Sequence, residues 1–392
     1  MKKLYWKRTI KLLSLALAVI LCTAFLQTFV FVDFWQEAQG TKRIRGFYRE
    51  PKDTLDVVLI GDSTIYSGFS PGYAYDLQGI TSYNFAIGAN PCSTWKTITE
   101  EIIRRQDPQL IVVEIGGTQY QDLHKQFEES SSIHALIDNM PLSANKLRAI
   151  RDLVVPEEGS PVEYLFPFIR YHSVWEWFGD LTYRGREMLY WQYGSRNVLK
   201  GDVTRPDAGP EKGRRRDIRR DRSTAELTSE SEAILRDYLD YCREKDLNVL
   251  FIAVPYRISD GNAMYDTFRL ENRAGEIVQE YGFDYLNLNY AADEIGLDNA
   301  RSYYNDGHMN YRGQIAFTEY FSRLLTEEYG VRPHALTDSQ RADWEKCAEY
   351  TQLLFRYADS LAHSGKNSDI LSERIEIMRE LEALRSDTGV SD

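Results

Sequence analysis

The serine in the stretch VVLIGDSTIYSGFSP is the first residue whose type and placement suit chemistry. The apolar, β-branched run VVLI ends at Gly-Asp-Ser, which places Ser63 where the chain turns polar. A serine hydroxyl is a weak nucleophile until a base takes its proton, and histidine is the usual base. His308, in the segment YYNDGHMNYRG before a helical stretch over 311–325, is the candidate for that base. This pair of residue types predicts nucleophilic acyl transfer.

Two further apolar runs end in residues that suit the same chemistry. Gly88 closes the run SYNFAIG, and Thr118 follows the run LIVVEIGG. Ligands of an open parallel sheet gather at the carboxyl ends of its strands, so these ends are expected to meet at one edge. Acyl transfer also needs hydrogen-bond donors aimed at the developing oxyanion. The backbone N–H groups of Ser63 and Gly88 are candidates, because a glycine lets a substrate approach closely.

The elements that must position these residues follow a strand–helix rhythm. Continuous apolar runs without alternation are typical of parallel strands that are buried on both faces. Strands that alternate with helical segments predict an α/β fold with a doubly wound, mostly parallel, five-stranded sheet. The predicted strands cover residues 56–60, 82–88, 110–117, 248–255 and 283–289.

The chain of 392 residues is long enough for one large domain with additional segments. The rhythm breaks over about 120–223, which predicts a helical insertion whose aromatic stretch over 164–194 forms a satellite helical core. A sugar-stacking platform or a membrane-facing surface is the alternative for those aromatics. The predicted units are a basic stub at 1–11, a transmembrane anchor at 12–32, a juxtamembrane linker at 33–55, the α/β domain at 56–330 and a helical C-terminal extension at 331–392.

The N-terminal segment carries a membrane signal. Lysines and an arginine precede LLSLALAVILCTAFLQTFVFV, which has about the twenty apolar residues that a spanning helix needs. The positive flank is expected to stay in the cytoplasm, which places the main domain outside the membrane. A cleaved signal peptide is the competing interpretation. Its small-x-small candidate ends at Ala18, too early in the apolar run, so the sequence favours an uncleaved single-pass anchor.

The overall charge excludes one class of partner. The formal net charge of −12 argues against a nucleic-acid surface, which needs a basic face. The other histidines are scattered, and no His, Cys, Asp or Glu spacing predicts a metal site or a cofactor.

The segments VVLIGDS, YNFAIG and NDGHMNYRGQIAF resemble the serine, glycine and histidine blocks of the SGNH/GDSL hydrolase superfamily. The resemblance covers about 55–120 and 246–328. Within the superfamily, the chain most resembles membrane-anchored bacterial proteins similar to the D-alanyl transfer protein of teichoic acid and to alginate-type O-acetylation proteins. The resemblance implies Ser63 as nucleophile, His308 as base, and the N–H groups of Ser63 and Gly88 as oxyanion donors.

The chain departs from the family pattern at two positions. Thr118 stands where the family has an asparagine whose side chain completes the oxyanion hole, and its hydroxyl is the substitute donor. Asn305 stands three residues before the histidine, where the family has an aspartate, and Asp306 stands two before it. Asn305 can orient an imidazole through its amide oxygen, but a charged group stabilises the imidazolium better. The sequence therefore favours Asp306 as the orienting residue, with Asn305 as the alternative.

These features together predict an extracytoplasmic O-acyltransferase or acylesterase that acts on a cell-wall or extracellular polysaccharide through a Ser63 acyl-enzyme. A transferase outside the membrane lacks acyl-CoA, so the resemblance implies a membrane-bound O-acyltransferase as partner. The alternative is a non-catalytic assembly or polymer-binding protein that keeps the fold, which the two departures motivate.

Overall fold

The computed structural model describes most of the chain, and the main gap falls in the insertion. Residues 171–197, which hold most of the aromatic stretch expected to form a satellite core, lie outside the described residues. The described ranges are 2–30, 38–119, 131–155, 159–167, 169–170, 198–206, 208–209, 214–261, 263–362 and 368–388.

Five strands form a single sheet in which every neighbouring pair is parallel. They are β1 Val57–Gly61, β2 Ser82–Ala86, β3 Leu110–Glu114, β4 Val249–Ala253 and β5 Asp284–Asn287. Their order across the sheet is β2-β1-β3-β4-β5. The chain adds β2 on one side of β1 and the later strands on the other, so the topological switch point lies between β1 and β3. The predicted α/β class and the parallel five-stranded sheet are confirmed.

Both faces of this sheet are covered. Along β1, Val58 and Ile60 point into one hydrophobic core, whereas Val57 and Leu59 point into a second core on the opposite face. A strand with two buried faces needs apolar residues at every position, which is why the sequence shows no polar alternation. Cores on both faces are consistent with a doubly wound fold.

Helices connect the strands and extend the fold at both ends. They are α1 Lys2–Val30, α2 Ala38–Phe47, α3 Ser63–Gly68, α4 Pro71–Gln78, α5 Trp95–Arg105, α6 Ser131–Ile137, α7 Ala144–Ala149, α8 Pro161–Leu165, α9 Ser229–Glu244, α10 Met264–Glu280, α11 Ala292–Ile295, α12 Tyr311–Glu327, α13 Asp338–Ala362 and α14 Ser368–Thr388. The described parts of the insertion include α6, α7 and α8.

Helix α2 differs from the linker expected over residues 33–55. Its Ile44 and Phe47 are fully buried, and the Phe47 ring stacks on Phe85 of β2 with centroids 4.5 Å apart. The segment therefore belongs to the packed core, because its apolar positions cover the outer part of the sheet.

Helix α1 holds the apolar segment that the sequence analysis interprets as an anchor. Its described leucines are more than half exposed, from 67% at Leu12 to 56% at Leu17. Across the described residues, however, no helix combines the length and apolarity that crossing a membrane requires. The structure thus does not confirm the transmembrane helix predicted over residues 12–32.

The C-terminal helix α13 packs on the α/β domain. Trp344 is buried in the same core as the sheet and stacks on Tyr75 of α4 with ring centroids 5.3 Å apart. Gly72 of α4 faces α13 so closely that an added Cβ would lie 2.4 Å from the hydroxyl oxygen of Thr351. The extension thus covers one side of the fold.

A short antiparallel hairpin precedes α12, where the sequence analysis expects only a loop. Its strands are β6 Tyr303–Asn305 and β7 His308–Met309, joined by a two-residue Asp-Gly turn. An Asp-Gly pair between short strand-forming segments is a recognised hairpin signal. This hairpin presents the predicted catalytic histidine.

Candidate active site

Strand β1 delivers the candidate nucleophile to the carboxyl edge of the sheet. The strand ends at Gly61, and Asp62 then caps helix α3 by accepting a hydrogen bond from the backbone N–H of Thr64 at 2.7 Å. Ser63 is therefore the first residue of α3. This point lies beside β3, at the place where the strand order reverses, which is the usual ligand site of open α/β sheets.

The histidine that the sequence analysis predicts as base contacts this serine. His308 Nε2 lies 2.6 Å from Ser63 Oγ, although 245 positions separate the two residues in the chain. The distance is that of a hydrogen bond in which the hydroxyl donates to the ring nitrogen. A serine and a base in this arrangement can form an activated nucleophile.

Asn305, and not Asp306, holds the other side of the imidazole ring. Asn305 Oδ1 lies 2.8 Å from His308 Nδ1 and also accepts the N–H of Gly307 at 3.0 Å. Because this oxygen is an acceptor, we assign the ring proton to Nδ1, which leaves Nε2 free to accept from Ser63. The preference for Asp306 as the orienting residue is therefore corrected in favour of the alternative, Asn305.

The hairpin explains the choice between these neighbours. Asn305 and His308 are paired across β6 and β7, so their side chains can meet, whereas Asp306 occupies the turn. The Asp306 carboxylate lies 3.3 Å from the guanidinium of Arg257, and its carbonyl accepts the N–H of the same residue at 2.8 Å. Arg257 is fully buried, so this pair fastens the turn to the segment after β4.

Helix α12 fixes the other end of the hairpin. Asn310, which is buried, accepts the N–H groups of Arg312 at 3.0 Å and Gly313 at 3.3 Å and so caps the helix. Its side-chain amide donates to the carbonyl of Arg301 at 2.7 Å. An added Cβ at Gly313 would lie 2.2 Å from the carbonyl oxygen of Ser302, so only glycine permits this close approach. The hairpin that carries His308 is therefore held at both ends, at its turn by Arg257 and at its junction with α12 by Asn310.

Ser63 and His308 open into a cleft of about 310 Å³. The sequence-predicted Gly88 lines this cleft, and so do three residues of the insertion, namely Ser132, Ala135 and Arg205. No short motif marks these three positions, because they reach the site only through the packing of the insertion. The residues that line the cleft are Ser63, Tyr66, Ile87, Gly88, Ala89, Ser132, Ala135, Arg205 and His308.

The backbone at Gly88 is held in an uncommon shape. The next residue, Ala89, has a φ of 48°, in the left-handed region that non-glycine residues rarely adopt. The hydroxyl of Ser132 donates to the carbonyl of Gly88 at 2.7 Å and stabilises this turn. Strain of this kind persists only where surrounding contacts maintain it, and it concentrates at functional sites.

Thr118 does not supply the expected side-chain donor. Its hydroxyl donates to the carbonyl of Ile115 at 2.9 Å, inside the helical turn Ile115–Gln119, and its side chain is fully buried. It is not among the residues that line the cleft. The hydroxyl is therefore engaged within its own turn and does not reach the cleft, so the predicted oxyanion role is corrected.

A cluster of buried acids lies behind the nucleophile. Glu114, at the end of β3, accepts the backbone N–H of Gly116 at 2.7 Å and also that of Asp62. Burial, followed by the nearby carboxyl groups of Asp62 and Glu271, raises the pKa of Glu114 well above its usual value. Burial and the charge of Asp62 raise the pKa of Glu271 to about 8, while its hydrogen bond from Tyr256 opposes the rise. No motif in the sequence marks either glutamate.

Opposing charges act on the candidate base. Burial lowers the pKa of His308 below its usual value, and the positive charge of Arg205 adds to that effect. Asp62 acts in the opposite direction, because a negative charge favours the protonated ring. A neutral imidazole is the form that can accept the serine proton, so the lowered pKa suits a general base.

A larger cleft of about 520 Å³ lies elsewhere, between α5, α7 and α9. Its one thiol, Cys92, is buried, and burial raises the pKa of Cys92 to about 12. A thiol in such surroundings stays protonated and unreactive. The predicted residues Ser63, Gly88 and His308 line the smaller cleft and not this one.

Comparison with known proteins adds no family to this picture. No protein-family model matches the chain, and no curated protein matches it significantly.

Proposed function

We propose that the chain is a serine-dependent acyl-transfer enzyme, an O-acyltransferase or acylesterase of the SGNH/GDSL type. The observation that carries the proposal is the hydrogen-bonded series Ser63–His308–Asn305, with contacts of 2.6 and 2.8 Å at the edge of a parallel sheet. Base and orienting residue lie as nucleophilic catalysis requires, and an open cleft adjoins them.

The geometry leads to a two-step reaction. Ser63 Oγ attacks the acyl carbonyl carbon while its proton passes to His308 Nε2, and Asn305 keeps the other ring nitrogen protonated and oriented. The tetrahedral intermediate then releases the alcohol, which takes the proton back from His308, and leaves an acyl group on Ser63. A water molecule or a sugar hydroxyl next gives a proton to His308 and attacks the acyl carbon. The second tetrahedral intermediate then breaks its bond to Ser63 Oγ, which takes that proton from His308.

Two backbone donors remain for the oxyanion. The N–H groups of Ser63 and Gly88 are proposed for this role, because both residues line the cleft. A side-chain donor at Thr118 is absent from the proposal, since that hydroxyl binds Ile115. The loss of one oxyanion donor costs about 3 to 4 kcal/mol of transition-state stabilisation in a well-studied protease. We therefore expect slow turnover.

The proposed substrates are acyl esters of a cell-wall or extracellular polysaccharide. The sequence resemblance and the apolar segment in α1, whose leucines are exposed, support a place at the outer face of the cell membrane. A transferase there would receive acyl groups from a membrane-bound O-acyltransferase, whereas an esterase needs no partner. Recovery of the full chain in the membrane fraction tests this part, and recovery in the soluble fraction would contradict it.

The catalytic proposal is tested with the full-length chain in detergent. Turnover of p-nitrophenyl acetate and labelling by a fluorophosphonate are measured for the wild type, Ser63→Ala and Ser67→Ala. Ser67 is the matched control because it lies on the same helix, is buried, and its hydroxyl has no hydrogen-bond partner among the described residues. We expect Ser63→Ala to abolish both signals and Ser67→Ala to keep them.

A second candidate is a non-catalytic assembly or polymer-binding partner of an acyltransferase. The hydroxyl of Thr118 donates to the carbonyl of Ile115, so the site has one oxyanion donor fewer than the resemblance implies. This loss favours the non-catalytic candidate. Equal signals from the wild type and Ser63→Ala, together with unchanged polymer acylation in cells that carry Ser63→Ala, would support this candidate and refute the enzymatic one.

A further inference from the structure

The series Ser63–His308–Asn305 lacks a negative charge at its end. Once His308 has taken the serine proton, the ring is an imidazolium, and Asn305 offers it only a neutral amide oxygen. In serine hydrolases with an aspartate at this position, the carboxylate stabilises that cation. The neighbouring Asp306 does not replace it, since its carboxylate lies 3.3 Å from the buried guanidinium of Arg257. The imidazolium therefore needs another source of charge.

We propose that Asp62, the residue directly before the nucleophile, supplies the negative charge that stabilises the His308 imidazolium. The inference rests on the proposed function and deepens it. Asp62 is 2% exposed, and its carboxylate is fixed at the start of α3 by the N–H of Thr64. The serine that follows it is 2.6 Å from the ring. Asp62 acts through His308, so it is a positioning residue and not a catalytic one.

The surrounding charges agree with this assignment. Asp62 raises the pKa of His308, and the same group raises the pKa of Glu114 and of Glu271, as a negative charge does. Burial raises the pKa of Glu114 well above its usual value and that of Glu271 to about 8, which favours their neutral forms. Among these three carboxyl groups, Asp62 is the one whose charge acts on His308.

The other groups around the ring do not supply the charge. Arg205 lowers the pKa of His308, and burial raises the pKa of the Tyr303 phenol on β6, which favours its neutral form. A charge at a buried position also acts more strongly than one in water, because the local dielectric is lower. The arrangement thus divides two tasks between two residues: Asn305 orients the ring and Asp62 stabilises its charge.

The test separates the charge of Asp62 from its capping role. Asparagine and serine cap helices about as well as aspartate, so Asp62→Asn and Asp62→Ser remove the charge and keep the cap. The pKa of His308 is followed by NMR of the imidazole carbon-bound protons, assigned with a His308→Gln variant. Hydrolysis of p-nitrophenyl acetate is measured across the same pH range.

We expect both variants to lower the pKa of His308 by about one pH unit and to reduce kcat/KM about tenfold. The acidic limb of kcat/KM, which reports the free enzyme's base, should move to lower pH. Arg205→Gln removes a charge of the opposite sign and should move the pKa of His308 upward. A purely structural role for Asp62 would leave these titrations where they are.

Rescue by a second carboxylate completes the test. Asn305→Asp places a charge at the end of the series, and it should restore most of the lost kcat/KM in Asp62→Asn. Its effect in the wild type should be smaller, because Asp62 already supplies the charge, and this difference measures their coupling. An unchanged pKa of His308 in folded Asp62→Asn or Asp62→Ser would overturn the inference. If no variant hydrolyses the ester, the proposed function fails, while the NMR titration still decides the role of Asp62.

Discussion

At the scale of single residues, the site depends on the direction of two neighbouring side chains. Asn305 and Asp306 precede His308 by three and two residues, so spacing along the chain does not decide which of them contacts the ring. The turn of the hairpin directs Asn305 to the ring and Asp306 to Arg257. The two positions therefore perform different tasks, one chemical and one structural, and substitutions should separate them.

Alanine at these two positions should give opposite profiles. Asn305→Ala removes the acceptor that orients the ring, so kcat should fall about a hundredfold with little change in stability, because Asn305 is exposed. Asp306→Ala removes the carboxylate next to the buried Arg257, so the free energy of unfolding should fall by about 1 to 3 kcal/mol. Ester hydrolysis and urea unfolding of both variants check this prediction. A larger loss of kcat in Asp306→Ala than in Asn305→Ala would contradict the assignment.

At the scale of elements, the position of His308 is well defined because three elements converge on it. The hairpin β6–β7 carries it, α3 faces it with the nucleophile, and α12 begins three residues after it. The cap at Asn310 joins the hairpin to α12, since one side chain binds the helix N–H groups and the carbonyl of Arg301. Loosening that cap should therefore affect both stability and catalysis.

Asn310→Ala should lower the free energy of unfolding by about 1 to 2 kcal/mol, the usual cost of losing a capping side chain. It should also reduce kcat, because His308 loses part of its support. Asn310→Ser is the matched control, since serine can still cap the helix. Urea unfolding and ester hydrolysis measure the two effects. Equal stability of the alanine variant and the wild type would show that the cap contributes nothing.

At the scale of the whole molecule, a buried cation joins segments that are far apart in the chain. Lys200, in the insertion, is 1% exposed and lies 3.0 Å from Glu50 and 2.7 Å from Asp343 of α13. The Lys200 ammonium also lies 4.9 Å from the ring centroid of Trp344. The N-terminal part, the insertion and the C-terminal extension therefore share one electrostatic contact beside the α/β core.

Lys200→Met should lower the free energy of unfolding by about 3 to 5 kcal/mol, because it removes one partner of a buried ion pair. The double variant Glu50→Gln/Lys200→Met should recover part of this loss, since it also removes the buried charge of Glu50. Thermal or urea unfolding of the single and double variants measures the difference. A single variant as stable as the wild type would show that the contact contributes no stability.

The sequence by itself determined the parallel sheet and the residues at its edge. Apolar runs without alternation are typical of strands that are buried on both faces, and the residue types of Ser63, Gly88 and His308 at the ends of such runs and in the later loop indicated the site. The tertiary structure decided the partner of the imidazole, the loss of Thr118 as a donor, and the entry of Arg205 and Ser132 into the cleft. These outcomes depend on side-chain direction and on contacts between distant segments. Spacing along the chain does not encode either one.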